Sequence, residues 1–92
     1  MEVEEIHAKV HGKVQMVMFR DFIQRKSRTM GLRGFVQNLQ DGSVEVVAQG
    51  APEKLEKLVE HLHKGPFLAR VLRVDVERRK PQEKFDGFTI LY

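Results

Sequence analysis

The stretch that decides the fold runs from residue 6 to residue 20 and reads IHAKVHGKVQMVMFR. Its first part carries an apolar residue or glycine at every second position: Ile6, Ala8, Val10, Gly12 and Val14. That alternation is typical of a half-buried β-strand. The period then becomes helical, with one apolar face formed by Phe19, Phe22, Ile23 and Met30. The stretch therefore predicts a strand that turns directly into a helix over residues 20–30, which Gly31 ends.

Two strands joined by a hairpin are predicted after this helix, over residues 32–39 and 44–49. The turn between them is Gln40-Asp41-Gly42-Ser43. It contains the Asp-Gly pair that tight hairpins favour, because both central residues can take positive φ. This pair predicts antiparallel pairing of the two strands.

A second helix and two further strands complete the predicted fold. The helix begins near Pro52, ends at Gly65 and has an apolar stripe of Leu55, Leu58, Val59 and Leu62. The strands cover residues 68–78 and 87–92. The order βαββαβ predicts an α+β fold, the ferredoxin-like sandwich, with an antiparallel sheet and two helices on one face.

The composition is that of a folded globular protein, with 41% hydrophobic and 32% charged residues among 92. We expect a single domain over residues 1–92 and a monomer. No apolar run approaches the roughly 18 residues of a membrane span, and the acidic N-terminal residues do not resemble a secretory signal. We therefore expect a cytoplasmic protein without a membrane partner. Since the chain has no cysteine, disulfides and thiolate chemistry are excluded.

The charge is mildly basic, with a net charge of +3 and a pI near 9.5. This balance favours attraction of a small anion. The two dense basic runs, Arg25-Lys26-Ser27-Arg28 and Arg78-Arg79-Lys80, are interpreted as solvated surface, so we expect no nucleic-acid partner.

Histidine and serine chemistry has little support in the sequence. The spacings of His7 with His11, and of His61 with His63, do not suit a metal site. Neither serine has a neighbouring His/Asp arrangement, and no Gly-Lys-Ser/Thr triplet of a mononucleotide loop occurs.

The turn from the first strand into the first helix is the strongest candidate site. Its backbone N–H groups can converge on an anion, with the positive end of the helix dipole behind them. Arg20 stands at the helix start and can add a two-pronged grip on phosphate oxygens, although it can equally be a surface residue. Asn38 is the only asparagine, and its amide can hold a water, although Asn is also common before an Asp-Gly turn.

Two blocks of the sequence resemble the acylphosphatase family. Residues 12–20, GKVQMVMFR, resemble its phosphate-binding signature Gly-x-Val-Gln-Gly-Val-x-Phe-Arg, and residues 31–45, GLRGFVQNLQDGSVE, resemble its second block. The likeness extends through Gly65-Pro66 to the terminal residues 88–92, so it covers nearly the whole chain.

The resemblance implies a hydrolase without metal or cofactor that cleaves acyl phosphates, the carboxylic-phosphoric mixed anhydrides, to a carboxylate and inorganic phosphate. Carried over by position, Arg20 and the backbone amides of the turn would bind the phosphoryl group, and Asn38 would orient the attacking water. The turn residues concerned are Gln15, Met16, Val17, Met18 and Phe19. Because an acyl phosphate has a good leaving group, positioning and charge stabilisation can suffice for catalysis.

Met16 departs from the family pattern, which has Gly at this position. If the position needs positive φ, or if phosphate must approach the bare backbone, Met introduces roughly 1 to 3 kcal/mol of strain or blocks the phosphate loop. Activity would then fall by about ten to a hundredfold or more. We predict a folded protein with an impaired or altered loop, in which Met16→Gly raises kcat/KM on benzoyl phosphate.

Two alternatives to an active enzyme remain. An acylphosphatase-like domain that only binds phosphate or a partner would be compatible with Met16. RNA-recognition domains share the βαββαβ order, and Arg33-Gly34-Phe35 begins like their RNP1 motif. That motif then fails, because Val36-Gln37-Asn38 lacks the small residue and the second aromatic, and because it lies on the second strand rather than the third.

Overall fold

A computed structural model describes residues 2–92 and confirms the predicted succession of elements. The strands are β1 (Glu4–Lys13), β2 (Arg33–Asn38), β3 (Val44–Gly50), β4 (Arg70–Arg79) and β5 (Phe88–Leu91). The helices are α1 (Phe19–Thr29) and α2 (Pro52–Lys64). No helix in this range is long and apolar enough to cross a membrane.

The five strands form one sheet in the order β4-β1-β3-β2-β5. The first four pair antiparallel, as predicted, but β5 pairs parallel with β2, so the prediction of a wholly antiparallel sheet was wrong. The reason is topological. Since β4 runs opposite to β1, the single reversal after β4 gives β5 the direction of β1 and β2. The ferredoxin-like α+β class is unchanged by this extra edge strand.

Both helices pack on one face of the sheet and bury one apolar core against it. The alternation in β1 buries Ile6, Ala8 and Val10, and β3 buries Val44, Val46 and Ala48 on the same face. The helices contribute Phe19, Ile23, Leu55, Leu58 and Leu62. Each fully buried side chain of this size contributes about 1.5–3 kcal/mol. This packing fixes where α1 begins, and therefore where the turn before it lies.

Gly12 shapes the end of β1 as it approaches that turn. The register between β1 and β4 shifts between His11 and Gly12, and Gly12 has a φ of 131°. A Cβ atom at this position would lie 2.1 Å from the backbone oxygen of Arg70. Only glycine therefore allows β4 to approach so closely at the point where β1 bends into the turn.

The hairpin between β2 and β3 is present but wider than a two-residue turn. Only Gly42 of the Asp-Gly pair takes positive φ, at 91°. The loop closes through the Leu39 N–H, which donates to the Ser43 oxygen at 2.9 Å, while the Asp41 carboxylate accepts the Ser43 N–H at 3.0 Å. Because Asp41 stabilises the turn with its side chain, its backbone needs no left-handed conformation.

The face of the sheet away from the helices carries a buried polar network. Glu5 is 1% exposed and accepts hydrogen bonds from Gln49, at 2.7 Å, and from Arg79. Burial, the largest single effect, would raise the pKa of Glu5, but the hydrogen bonds from Gln49 and Arg79, the Arg79 charge and a backbone hydrogen bond from Gln82 together lower it. Glu45 behaves similarly: burial raises its pKa most, but the hydrogen bonds from Gln37 and His7, with the charges of His7 and Arg79, together lower it.

These shifts predict acid destabilisation. Burial, and then the nearby Lys26 charge, lower the pKa of His61, so both this histidine and the two glutamates bind protons more tightly in the unfolded chain. The free energy of unfolding should therefore fall as the pH drops through 6.5 and then 4.5, the ordinary values for the two residue types. Urea unfolding across this range measures the effect.

Glu5→Gln should lower the free energy of unfolding at neutral pH by about 1–3 kcal/mol and flatten its dependence on pH below 4.5. Glu53→Gln, at an exposed position on α2, is the matched control. If the unfolding free energy varied equally with pH in the wild type, Glu5→Gln and Glu53→Gln, the role given to Glu5 would be contradicted.

Candidate active site

The loop between β1 and α1 borders a cavity of about 130 Å³. The cavity lies where this loop meets the ends of β2 and β5. It is lined by Val14, Met16, Met18, Phe19, Arg20, Asp21, Asn38, Ile90 and Tyr92. The strand-to-helix turn predicted from the sequence therefore forms one wall of a site whose other walls come from distant parts of the chain.

The backbone of the loop offers hydrogen-bond donors to this cavity. The bond that opens α1 runs from the Phe22 N–H to the Met18 oxygen, at 3.0 Å, and the N–H groups of the helix residues before Phe22 have no intrahelical acceptor. Met18, the N-cap of α1, provides no side-chain cap either. Free N–H groups at the start of an 11-residue helix are a suitable site for an anion.

Two methionines in the loop adopt the left-handed conformation, with φ of 59° at Met16 and 61° at Met18. Met16 therefore has the positive φ that glycine adopts easily and that strains a methionine. The side chain of Met16 is 98% exposed, so it projects into solvent and does not fill the cavity. Left-handed φ in a residue other than glycine costs of order 1–3 kcal/mol and tends to occur at functional sites.

Gln15 fixes the loop relative to the β2–β3 hairpin. Its side-chain amide donates to the Leu39 oxygen at 2.8 Å and to the Ser43 oxygen at 2.9 Å. These two bonds hold the loop beside the end of β2, where Asn38 lies. The Gln15 side chain thus sets the distance between the two predicted parts of the site.

Arg20 lies in the first turn of α1 and is oriented by the C-terminal strand. Its Nη1 donates to the Leu91 oxygen at 3.3 Å, and its guanidinium carbon lies 4.8 Å from the centre of the Tyr92 ring. A guanidinium has five N–H donors, so most remain free for a ligand in the cavity. The permanently charged planar group suits two-pronged binding of phosphate oxygens.

Asn38, the last residue of β2, presents a buried polar atom without a partner. Its Oδ1 finds no hydrogen-bond donor among residues 2–92. Leaving such an atom unpaired costs about 1–3 kcal/mol, and buried polar groups in proteins are nearly always paired. Because Asn38 lines the same cavity as Arg20, its unpaired oxygen is a candidate acceptor for a water or ligand bound there.

The structure brings together most, but not all, of the residues predicted for the site. Met16, Met18, Phe19, Arg20 and Asn38 line one cavity, whereas Gln15 and Val17 do not. Sequence reasoning missed Val14, Asp21, Ile90 and Tyr92. For the last two no signal was available, since only the parallel placement of β5 beside β2 brings them near the loop.

Asp21 is the one acidic side chain in the cavity wall, and it would oppose a bound anion. Its carboxylate pairs with Arg25 one turn later, at 2.9 Å, which offsets its charge. Arg20 is therefore the uncompensated charge at the site.

The four histidines lie away from this cavity. His7 pairs with Glu45 at 2.7 Å, His11 pairs with Asp75 at 3.1 Å, and His63 contacts the Val59 oxygen at 3.0 Å. His61 packs edge-on against Phe22, with ring centres 6.0 Å apart. No histidine in the described chain is therefore placed to act as a base at the site.

The chain is similar in sequence and in structure to proteins named acylphosphatase. The family profile described as "Acylphosphatase" matches residues 6–90. A protein of Thermococcus kodakarensis named acylphosphatase is 45% identical over 85 residues, which is 92% of each chain. Among solved structures, acylphosphatase from Bacillus subtilis superposes with a TM-score of 0.93 at 32% identity, covering 97% of this chain and 99% of that one. An acylphosphatase from Coxiella burnetii gives 0.91 at 37% identity, covering 97% and 93%.

Proposed function

The chain belongs to the acylphosphatase family and hydrolyses acyl phosphates, and from this premise we propose how its residues divide the reaction. The loop amides and Arg20 bind the phosphoryl group, and Asn38 orients the attacking water. The observation that carries the proposal is that Asn38, whose buried Oδ1 has no hydrogen-bond partner, lines the same small cavity as Arg20 and the loop.

The phosphoryl group is held by preorganised donors. The free N–H groups at the start of α1 carry partial positive charge, residues of this turn line the cavity, and Arg20 adds a full positive charge. Charge on the phosphoryl oxygens can thereby be stabilised in the transition state without reorganising the loop. Leu91 and Tyr92 hold the guanidinium in place, which reduces the entropy lost on binding.

The water is oriented by Asn38. The Asn38 Oδ1 accepts a hydrogen bond from the water, whose oxygen attacks phosphorus while the carboxylate leaves from the opposite side. A phosphoryl oxygen of the substrate takes the proton that the water loses. Because the carboxylate is a good leaving group, this arrangement needs no protein base.

Binding of inorganic phosphate tests the site directly. In NMR spectra recorded during a phosphate titration, the amide signals of residues 15–21 should shift and saturate, while those of the first turn of α2 stay in place. Arg20→Ala should weaken phosphate binding about tenfold or more, since hydrogen bonds to charged groups contribute about 1.5–3 kcal/mol. Shifts elsewhere, with residues 15–21 unaffected, would reject this loop as the phosphate site.

Met16→Gly should raise kcat/KM on acetyl phosphate, whose acyl group adds only a methyl group beyond the reacting carbonyl. Glycine adopts positive φ without the strain that Met16 incurs, so the loop populates its binding conformation more fully. The expected gain is up to about tenfold, corresponding to about 1.4 kcal/mol. Gln40→Gly, at an exposed position of the hairpin turn, is the control. An unchanged rate for Met16→Gly would show that the strained loop is fully competent.

Phe35 argues against the RNA-binding alternative. Its ring packs edge-on against Phe85, with centres 5.9 Å apart, so the loop between β4 and β5 covers the aromatic that would have to stack on a base. We therefore propose that the protein acts on small molecules rather than on nucleic acid.

A further inference from the structure

An apolar surface adjoins the phosphoryl cavity, and we propose that it binds the acyl part of the substrate. This surface, called here the apolar rim, consists of Met16, Met18, Phe67 and Leu68. The inference rests on the proposed function, because it takes the phosphoryl group to lie in the neighbouring cavity. The preferred substrates would be acyl phosphates whose acyl group is an apolar chain or ring.

The turn after α2 presents two of the rim side chains to solvent. The Ala69 N–H donates to the Pro66 oxygen at 3.0 Å, which places Phe67 and Leu68 at the tip of the turn. They are 97% and 68% exposed. Turn tips usually carry Gly, Asn, Asp or Ser, and large apolar side chains there contribute little to the core. The two side chains are thus free to contact a ligand.

The loop methionines supply the other half of the rim. Met16 and Met18 are 98% and 71% exposed, and both hold left-handed φ that glycine would adopt without strain. Because left-handed φ is energetically costly for methionine, its occurrence at two exposed positions indicates that these side chains have a function. Methionine is flexible and polarisable, so the rim suits acyl groups of varied shape.

The two halves meet at a second cavity, of about 330 Å³, which shares Met16 and Met18 with the phosphoryl cavity. Its remaining lining comes from Val17, Arg25, Pro66, Phe67 and Leu68. The first cavity is small, about 130 Å³, and leaves little room for a large acyl group beside phosphate and water. An acyl chain that leaves the first cavity past the methionines therefore lies on the rim.

Charge favours an uncharged acyl group on this surface. Arg25 is the one charged residue that lines the second cavity, and its Nε bonds to Asp21 at 2.9 Å. The charges of Arg25 and Asp21 neutralise each other, so the rim remains an apolar surface. An acyl group that carries a free carboxylate would gain little binding energy on this surface.

The test compares acetyl, butyryl and hexanoyl phosphates. Their carboxylate leaving groups are chemically alike, so a change in kcat/KM reports binding of the chain. Full burial of one methylene raises affinity about fourfold. On an open surface we expect about half of that binding free energy, which corresponds to about twofold per methylene. Hexanoyl phosphate has four more methylenes than acetyl phosphate, so its kcat/KM should be about fifteenfold higher, with the difference in KM rather than kcat.

Substitutions in the rim should reduce this ratio. Phe67→Ala and Leu68→Ala should each lower the hexanoyl-to-acetyl ratio of kcat/KM about threefold, since each removes apolar contact area. Leu72→Ala is the matched control, because Leu72 is 76% exposed and lines neither cavity. It should leave the ratio unchanged.

Three results would overturn the proposal while leaving the proposed function intact. The first is hydrolysis that depends on Arg20 but does not vary with chain length. The second is a wild-type preference for hexanoyl phosphate that neither rim substitution lowers. The third is self-association of the wild type that Phe67→Ala abolishes without changing the hexanoyl-to-acetyl ratio, which would show that the rim is an interface between copies. Absence of hydrolysis for every acyl phosphate would reject the proposed function and this inference with it.

Discussion

Arg20→Ala should lower kcat/KM for acetyl phosphate about a thousandfold, the lower end of the range for arginines that stabilise phosphoryl transfer. The reason is that Arg20 is the only uncompensated charge in the cavity wall, since Asp21 is paired with Arg25. Removing it leaves the loop amides as the sole stabilisers of the phosphoryl oxygens. Steady-state release of inorganic phosphate measures the loss.

Two further variants separate the charge from the shape of this arginine. Arg20→Lys keeps the charge but loses the planar fork, so it should recover only part of the activity. Arg33→Ala, at an exposed position on β2, should retain wild-type activity. If Arg20→Ala loses less than about tenfold, a difference of about 1.4 kcal/mol, then Arg20 does not bind the transferring group as proposed.

Asn38→Ala should lower kcat about a hundredfold, comparable to removal of one preorganised hydrogen-bonding group in other active sites. Because Asn38 positions the water rather than the phosphoryl group, affinity for inorganic phosphate should change little. Kinetics on acetyl phosphate and a phosphate titration of the same variant measure the two quantities.

Stability provides an independent check on Asn38. The unpaired Oδ1 contributes a desolvation cost to the fold, so its removal should leave the melting temperature unchanged or raise it. Gln40→Ala, at an exposed position in the same hairpin, should alter neither activity nor stability. A large loss of stability in Asn38→Ala would mean that the side chain holds the hairpin together instead of acting on water.

Much of the fold was predictable because its signals are local. The period of two in β1, the helical stripes and the cap at Gly65 each occupy a short window of sequence, and the structure places the elements within about two residues of the predicted bounds. The parallel pairing of β5 was not predictable in this way. It depends on which edge of the sheet the chain reaches after β4, and no short motif in residues 80–87 records that path.

The site likewise has parts with local sequence signals, which were predictable, and parts that depend on tertiary packing, which were not. The loop and Arg20 are contiguous in sequence, so the motif in residues 12–20 was enough to predict them. Asn38 could be proposed as a partner only through the family resemblance, because its proximity depends on the pairing of Gln15 with the hairpin oxygens. The contacts of Arg20 with Leu91 and Tyr92 arise from tertiary packing alone.

The most direct test of the account is hydrolysis of acetyl phosphate in water enriched in ¹⁸O, followed by mass spectrometry of both products. Water held by Asn38 is proposed to attack phosphorus, which Arg20 and the loop amides bind in the same cavity. The label should therefore appear in inorganic phosphate and not in acetate. Label in acetate would show attack at the acyl carbon and would contradict the roles given to Arg20 and Asn38.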